Sequence, residues 1–246
     1  TFLRCLPKMM WAVFRTQSNT RGAKLHLQFD IERGMPVSAD ITEALSSEKK
    51  ALAKRLKAGN LYIVDRGFID YKLYQAIDDG GSFFVARLKD TSTFEKLEER
   101  PLEEADVQAN IASDHFVRMG SGSTEGQLTA RVRRILIRDA TGYEVALLTN
   151  TLLPAEVVTL LYRHRWEVEL FFRWFKCILG CTHWMSITRS GLTLQIYIAI
   201  LASLLIRLWT GRKPTRRTFE MICMYFQGWA SEAELVRHIE SLKTVA

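Results

Sequence analysis

Cysteine is scarce in this sequence. Four fall among 246 residues, at positions 5, 177, 181 and 223. That is too few for a chain of this size to be a disulfide-built scaffold. Cys177, Cys181 and His183 lie close together, but their spacing is not that of a zinc knuckle and no second half-site follows. Buried structural thiols are the better reading. A secretory leader is not legible, because Arg4, Pro7 and Lys8 interrupt the opening apolar stretch and no cleavage region follows. The sequence has no internal repeat, no low-complexity tract, no glycine-rich phosphate loop, no dinucleotide fingerprint and no Ser/His/Asp arrangement. His26, His115, His164 and His238 show no metal-ligand or relay spacing. Long apolar runs are missing too. The nearest is LTLQIYIAILASLLIRLW (192–209), interrupted by Gln195, Ser203 and Arg207. Its purely apolar part is shorter than the roughly 20 residues a spanning helix needs, so it reads as a buried core helix. The basic run that follows would also fit the flank of a membrane span, which stays as the alternative.

What is there suits one large domain, or a domain with an inserted module, and about half the residues are hydrophobic, enough for a sizeable core. The formal net charge of +7 favours a polyanionic partner, usually nucleic acid. Many basic soluble proteins share that excess, so the partner has to be argued from specific residues.

Periodicity sets the expected architecture. AKLHLQFD (23–30) places Leu25, Leu27 and Phe29 on one face of a strand; a turn at Arg33 and Gly34 and a second strand, MPVSADIT (35–42), follow. A polar helix is expected over about 46–58, capped by Gly59. LYIVD (61–65) is a buried strand ending in a carboxylate, DYKLYQAIDDGG (70–81) a helix stopped by glycines, and SFFVARL (82–88) another strand. An acidic stretch from Glu95 to Asp106, a Gly/Ser turn at 120–123, and strands at 132–139 and 143–150 come next; from Pro154 the chain reads as helical. The pattern is α/β: a mixed sheet flanked by helices, with residues 1–89 as the first part of the core, 90–142 as a β-rich insertion, and 143–246 as the rest of the core with a helical C-terminal part.

Two places could carry chemistry. Asp65 directly follows a buried strand, where α/β proteins put ligand sites; a helix N-cap would explain it as well. The second is a helix expected over about 155–179. At about 100° per residue, with Tyr162 at zero, Arg165 falls near 300°, Glu169 near 340° and Lys176 near 320°, one polar stripe beside the apolar face. A surface Arg165–Glu169 pair would account for two of the four.

Tyr162, Arg165, Glu169 and Lys176, spaced Y-x2-R-x3-E-x6-K, resemble the signature of a large group of bacterial insertion-sequence transposases with a ribonuclease-H-like core and a DDE triad. VDRGF (64–68) resembles the segment around that family's second catalytic Asp, KLHLQFD (24–30) with GMPVSADIT (34–42) its second and third strands, and GSFFVARLKD (81–90) the strand after the Asp helix. The resemblance implies a two-Mg²⁺ phosphoryl-transfer site, with Mn²⁺ able to substitute, in which Asp65 and Glu169 are metal ligands and Arg165, Lys176 and Tyr162 contact phosphates. It further implies DNA partners at the element's ends and target, a homodimer on DNA, a cytoplasmic, nucleoid-associated location and no membrane partner. The family's first Asp lies a few residues before a stretch like TFLRCLPKM, which here begins at Thr1; Asp30 and Asp40 are poor substitutes. A catalytically inactive remnant that binds DNA or a full-length partner is the alternative. Arg207, Arg212, Lys213, Arg216 and Arg217, flanked by Trp209 and Phe219, form a second candidate for phosphate contact, or a solvated basic loop. Arg131, Arg133, Arg134 and Arg138 read as a solvated strand face.

Overall fold

The structure is a computed structural model that describes residues 1–14, 21–179, 184–212 and 215–242, with only the backbone of residues 174, 176–179, 216 and 219. In chain order its elements are β1 (Phe2–Cys5), β2 (Arg21–Asp30), β3 (Met35–Glu43), α1 (Glu48–Ala53), β4 (Leu61–Val64), α2 (Tyr71–Asp79), β5 (Phe83–Arg87) and β6 (Phe94–Glu99). There follow α3 (Glu104–Gln108), β7 (Ile111–Met119), β8 (Val132–Arg138), β9 (Glu144–Thr149), α4 (Ala155–Arg163), α5 (Trp166–Leu179), α6 (Arg189–Thr210), α7 (Arg216–Phe226) and α8 (Glu232–Glu240). These form two compact units, one of Thr1–Ser46 with Glu167–Ala246, the other of Ser47–Trp166. The fold is thus α/β, as expected from the sequence.

The first unit holds an antiparallel sheet in the order β1-β2-β3. Strand alternation sends Leu3, Cys5, Ala23, Leu25 and Ile41 to one side, where they bury against Phe175 of α5 and Leu192, Ile196 and Ile200 of α6. Leu27 joins this core partly buried, and Phe29 lies 5.7 Å from the Phe171 ring. Gly34, at φ +60, makes the β2–β3 turn, and the Arg207 guanidinium donates to its carbonyl. Arg207 is therefore a structural clamp and not part of an open basic run. Cys5 is buried, as expected of a structural thiol, and its burial pushes the thiol up to about 11, whereas Cys223 is only half-buried. Cys177, Cys181 and His183 lie outside the residues whose side chains are described.

The second unit is built on a six-stranded sheet, order β4-β5-β9-β8-β7-β6, with β4 and β5 parallel and the other neighbours antiparallel. Its period of two divides the core cleanly. Tyr62, Val64, Phe84, Ala86, Leu88, Val132 and Leu148 face α2, with Leu73, Tyr74 and Ile77. Leu61, Ile63, Val85, Ile135, Ile137 and Leu147 face α4, with Ala155 and Val158. In β7 a register shift between Ile111 and Ser113 lets Ile111 join the second face and Val117 the first, as a bulge does. The strands expected as an insertion, β6 to β8, continue the same sheet as β9. The helix expected over 46–58 shortens to α1, whose C-cap is Lys54; Gly59, at φ +75, instead makes the turn into β4. Tyr74 stacks on Phe84, ring centroids 4.6 Å apart, both fully buried. Phe84→Ala is expected to cost about 3–5 kcal/mol in urea unfolding, because it removes an aromatic ring from a filled core.

Of the four arginines expected on a solvated face, Arg131 and Arg138 are exposed, Arg134 is half-buried and Arg133 is buried. Arg133 is 0% exposed, its Nε 3.4 Å from the buried Asp114 and its Nη1 donating to the Leu153 carbonyl at 2.9 Å. Arg131 lies over the Phe116 ring at 3.9 Å and pairs with Glu98, Arg134 lies over Phe94 at 4.6 Å, and Arg138 pairs with Glu144. Glu98 of the acidic stretch and, beyond it, Asp114 and Glu144 are partners that a count of basic residues ignores.

Candidate active site

The carboxyl edge of the parallel pair β4 and β5 holds Asp65, the first candidate residue of the second unit. Val64 is opposite Ala86, so the next residues along, Asp65 and Arg87, come side by side at that edge. The Asp65 Oδ1 accepts from Gly67 N–H at 2.8 Å and caps a single 3-10 turn, Arg66–Phe68. A Cβ on Gly67 would sit 3.0 Å from that oxygen, so the turn holds its carboxylate closely. Asp65 therefore does the capping that its position alone allows, with one oxygen, and Oδ2 lies on a half-buried group.

α4 brings in Tyr162. Ala155 and Val158 seat the helix on Val85 and Leu147, and Tyr162 packs at the margin of the same cluster. Burial pushes the Tyr162 phenol up, while the Arg165 and Arg87 guanidiniums pull it down and the Asp65 carboxylate pushes it up again. All four groups thus share one electrostatic neighbourhood. Desolvation dominates, so Tyr162 is a neutral hydrogen-bond donor near pH 7. The Arg165 guanidinium lies over its ring at 5.6 Å and over the Trp166 ring at 5.8 Å, which fixes the cation's direction. Arg87 donates to Tyr143 Oη at 2.6 Å. No motif singles out Arg87; the signal lay in its register beside Asp65, which requires knowing that β4 and β5 are parallel neighbours. Beneath them, desolvation first, and then the charges of Tyr71, Asp70 and Asp65, keep the buried Tyr74 phenol protonated.

The helix expected over 155–179 is two helices. α4 ends at Arg163, Arg165 N–H donates to the Tyr162 carbonyl at 3.1 Å, and α5 begins at Trp166. Ala155 and Val158 of α4 belong to one core and Phe175 of α5 to the other, so each half turns its apolar side to its own sheet. The 100° wheel therefore does not run through from Tyr162 to Glu169, and Tyr162 meets Arg165 across a turn. Glu169 is a half-buried residue in the first turn of α5, where a negative charge suits the helix dipole. It belongs to the first unit, whereas Asp65, Tyr162 and Arg165 belong to the second. The Lys176 backbone is on α5; its side chain, that of Arg216 and the whole of Lys213 lie outside the described residues. Arg212 is exposed, and Arg217 pairs with Glu220 at 3.6 Å. Among the described residues no group of three or more His, Cys, Asp or Glu is placed to hold a metal ion. Carboxylate oxygens such as those of Asp65 and Glu169 are nevertheless the donors that a hard cation takes.

Residues 7–205 match the family described as the transposase DDE domain. A transposase of Sinorhizobium fredii (strain NBRC 101917 / NGR234), y4zB, is 29% identical over 201 residues, which is 80% of this chain and 56% of that protein. The probable transposase for insertion sequence element IS5377 of Geobacillus stearothermophilus is 25% identical over 213 residues, 86% of this chain and 55% of its own. The chain thus spans about half the length of these relatives. Among solved structures, the piggyBac transposase synaptic complex with hairpin DNA aligns with 99% of this chain and 57% of its own at a TM-score of 0.48 and 11% identity.

Proposed function

Because the chain belongs to the transposase DDE-domain family, we propose that it carries catalytic residues of an insertion-sequence transposase with a ribonuclease-H-like core, one that cuts and joins DNA at the element's ends. The observation that carries this reading is the grouping near the β4–β5 edge, where the charges of Asp65, Arg87 and Arg165 all act on the neutral phenol of Tyr162. Such a cluster suits a phosphodiester approached by a divalent cation: the carboxylate takes the cation, and the guanidiniums and phenol take the phosphate oxygens.

Asp65 and Glu169 would hold the metal. Two bound Mg²⁺ ions, or Mn²⁺ in their place, would supply charge stabilisation of the attacking and leaving oxygens. Arg165 and Tyr162 orient the phosphate, with Arg87 beside them; Lys176, Arg212, Lys213, Arg216 and Arg217 extend the contact along the DNA backbone. Water adds to a phosphorus at the element's end and the P–O3′ bond breaks. The freed 3′-hydroxyl then adds to a target phosphorus and displaces a target 3′ oxygen. The protein acts as a homodimer on DNA, in the bacterial cytoplasm at the nucleoid.

In this reading a third acid, expected on a strand ahead of the TFLRCLPKM stretch, completes the two-metal site. The test is Mg²⁺- or Mn²⁺-dependent nicking of a supercoiled plasmid carrying the element's ends. Residues 1–246 are expected to bind that DNA with an affinity that falls steeply with salt, but not to nick it. A chain extended through the preceding strand is expected to nick. Nicking by residues 1–246 that Asp30→Ala abolishes would give Asp30 the third place. An extended chain that binds and never cuts would make this an inactive DNA-binding protein.

A further inference from the structure

α6 has two apolar faces, and the three-stranded sheet uses one of them. Leu192, Ile196, Ala199 and Ile200 are buried in the core of the first unit. Polar contacts fix the helix on that side: Arg189 donates to the Ile41 carbonyl at 2.6 Å, Tyr197 to the Ala39 carbonyl at 3.1 Å, and Arg207 to that of Gly34. The helix is long and apolar enough to cross a membrane by length and composition, yet only 22% of its apolar window is buried. The reading of 192–209 as a core helix therefore holds for one stripe.

The other stripe has its own order. Leu194, Ile198, Leu201, Leu205 and Leu208 are 57% to 76% exposed. Their steps of four, three, four and three residues are the d-a-d-a-d seam of a coiled coil, with Leu at each d and Ile or Leu at each a. The flanking e and g positions hold Gln195, Tyr197, Ala202, Leu204 and Trp209, none of them charged. Two identical copies of this face meet without like-charge repulsion. The exposed surface of the five seam residues is on the order of 600 Å² per copy, which in a pair reaches the lower end of stable interfaces, about 1,200 Å² in total. A contiguous apolar patch of that size is at the upper limit of what monomers leave open.

We propose that this face is a self-association surface, α6 against α6 of a second copy, about a two-fold axis passing beside Leu201. The proposal supplies the surface for the dimer in the functional reading above and rests on that reading for its role, but the pairing itself needs no DNA. Leu201 is the central seam residue, so in a symmetric pair it meets its own copy whether the helices run parallel or antiparallel.

Sedimentation equilibrium of DNA-free residues 1–246 tests it, whatever the outcome of the nicking assay. The parent chain is expected to be dimeric at micromolar concentration. Leu201→Glu should weaken association at least tenfold with the parental circular-dichroism spectrum retained, since the site is exposed in each copy. Leu201→Cys should give an oxidised dimer above the level of the parent chain's own cysteines, with parental secondary structure by circular dichroism. A parent chain that stays monomeric, or a folded Leu201→Glu variant that remains dimeric, overturns the proposal. So does a monomer that floats with neutral phosphatidylcholine vesicles, which would assign the face to a lipid surface.

Discussion

Asp65→Asn and Glu169→Gln, each made in the chain extended by the preceding strand, are expected to cut metal-dependent nicking about 10³-fold or more. In the proposed site each removes a negative oxygen ligand. Metal-borne charge stabilisation is worth several kcal/mol in such a step, and about 4 kcal/mol corresponds to three powers of ten in rate. The conservative variants separate chemistry from folding. Asp65 Oδ1 accepts from Gly67 N–H, and an Asn side-chain oxygen accepts the same bond, so the 3-10 turn stays capped while the charge goes. Plasmid affinity at fixed salt should change little, because the proposal assigns the phosphate contacts to the arginines. Full nicking by Asp65→Asn would reduce Asp65 to its cap. Full nicking by Glu169→Gln would remove α5 from the chemistry.

Asp114→Ala is expected to destabilise the second unit by about 3–5 kcal/mol, the usual cost of stranding one member of a buried ion pair. Asp114 is 4% exposed and Arg133 is 0% exposed. Arg100 approaches the other Asp114 oxygen at 3.8 Å. Burial pushes the Asp114 carboxyl up and the Arg133 guanidinium down, each held back by its partner, so the pair survives desolvation only as a pair. In the variant Arg133 keeps its bond to the Leu153 carbonyl and loses its counter-charge. Asp114→Leu combined with Arg133→Met should recover most of the loss, since an apolar pair of similar bulk carries no desolvation cost. Urea unfolding followed by far-ultraviolet circular dichroism, arranged as a double-mutant cycle, measures both. An Asp114→Ala loss below about 1 kcal/mol would place water, not Asp114, against the guanidinium.

Both expectations start from residues visible in the sequence, but to different degrees. The strand ending at Asp65, the helix expected over 70–81 and the strand after it follow from local pattern, and the spacing of Tyr162, Arg165, Glu169 and Lys176 resembles the family signature independently of the fold. Arg133 is the opposite case. It stands among four strand arginines that look alike in sequence, and its burial depends on Asp114 arriving from the neighbouring strand β7.

By itself the sequence determined what short range can encode: alternation that divides Phe84 and Ala86 from Val85 onto two faces, the turn at Gly34, the acid at the end of β4, and membership of the transposase DDE-domain family. Tertiary structure alone decided that β6 to β8 extend the sheet of β9, that Arg87 stands beside Asp65, that the 155–179 helix breaks at residues 164 and 165, and that α6 keeps one apolar stripe exposed. The reason is physical. Side-chain period and turn chemistry act over a few residues, whereas strand partners, counter-charges and the choice between two equally apolar helix faces are settled by groups tens of residues away, through the burial they gain on meeting.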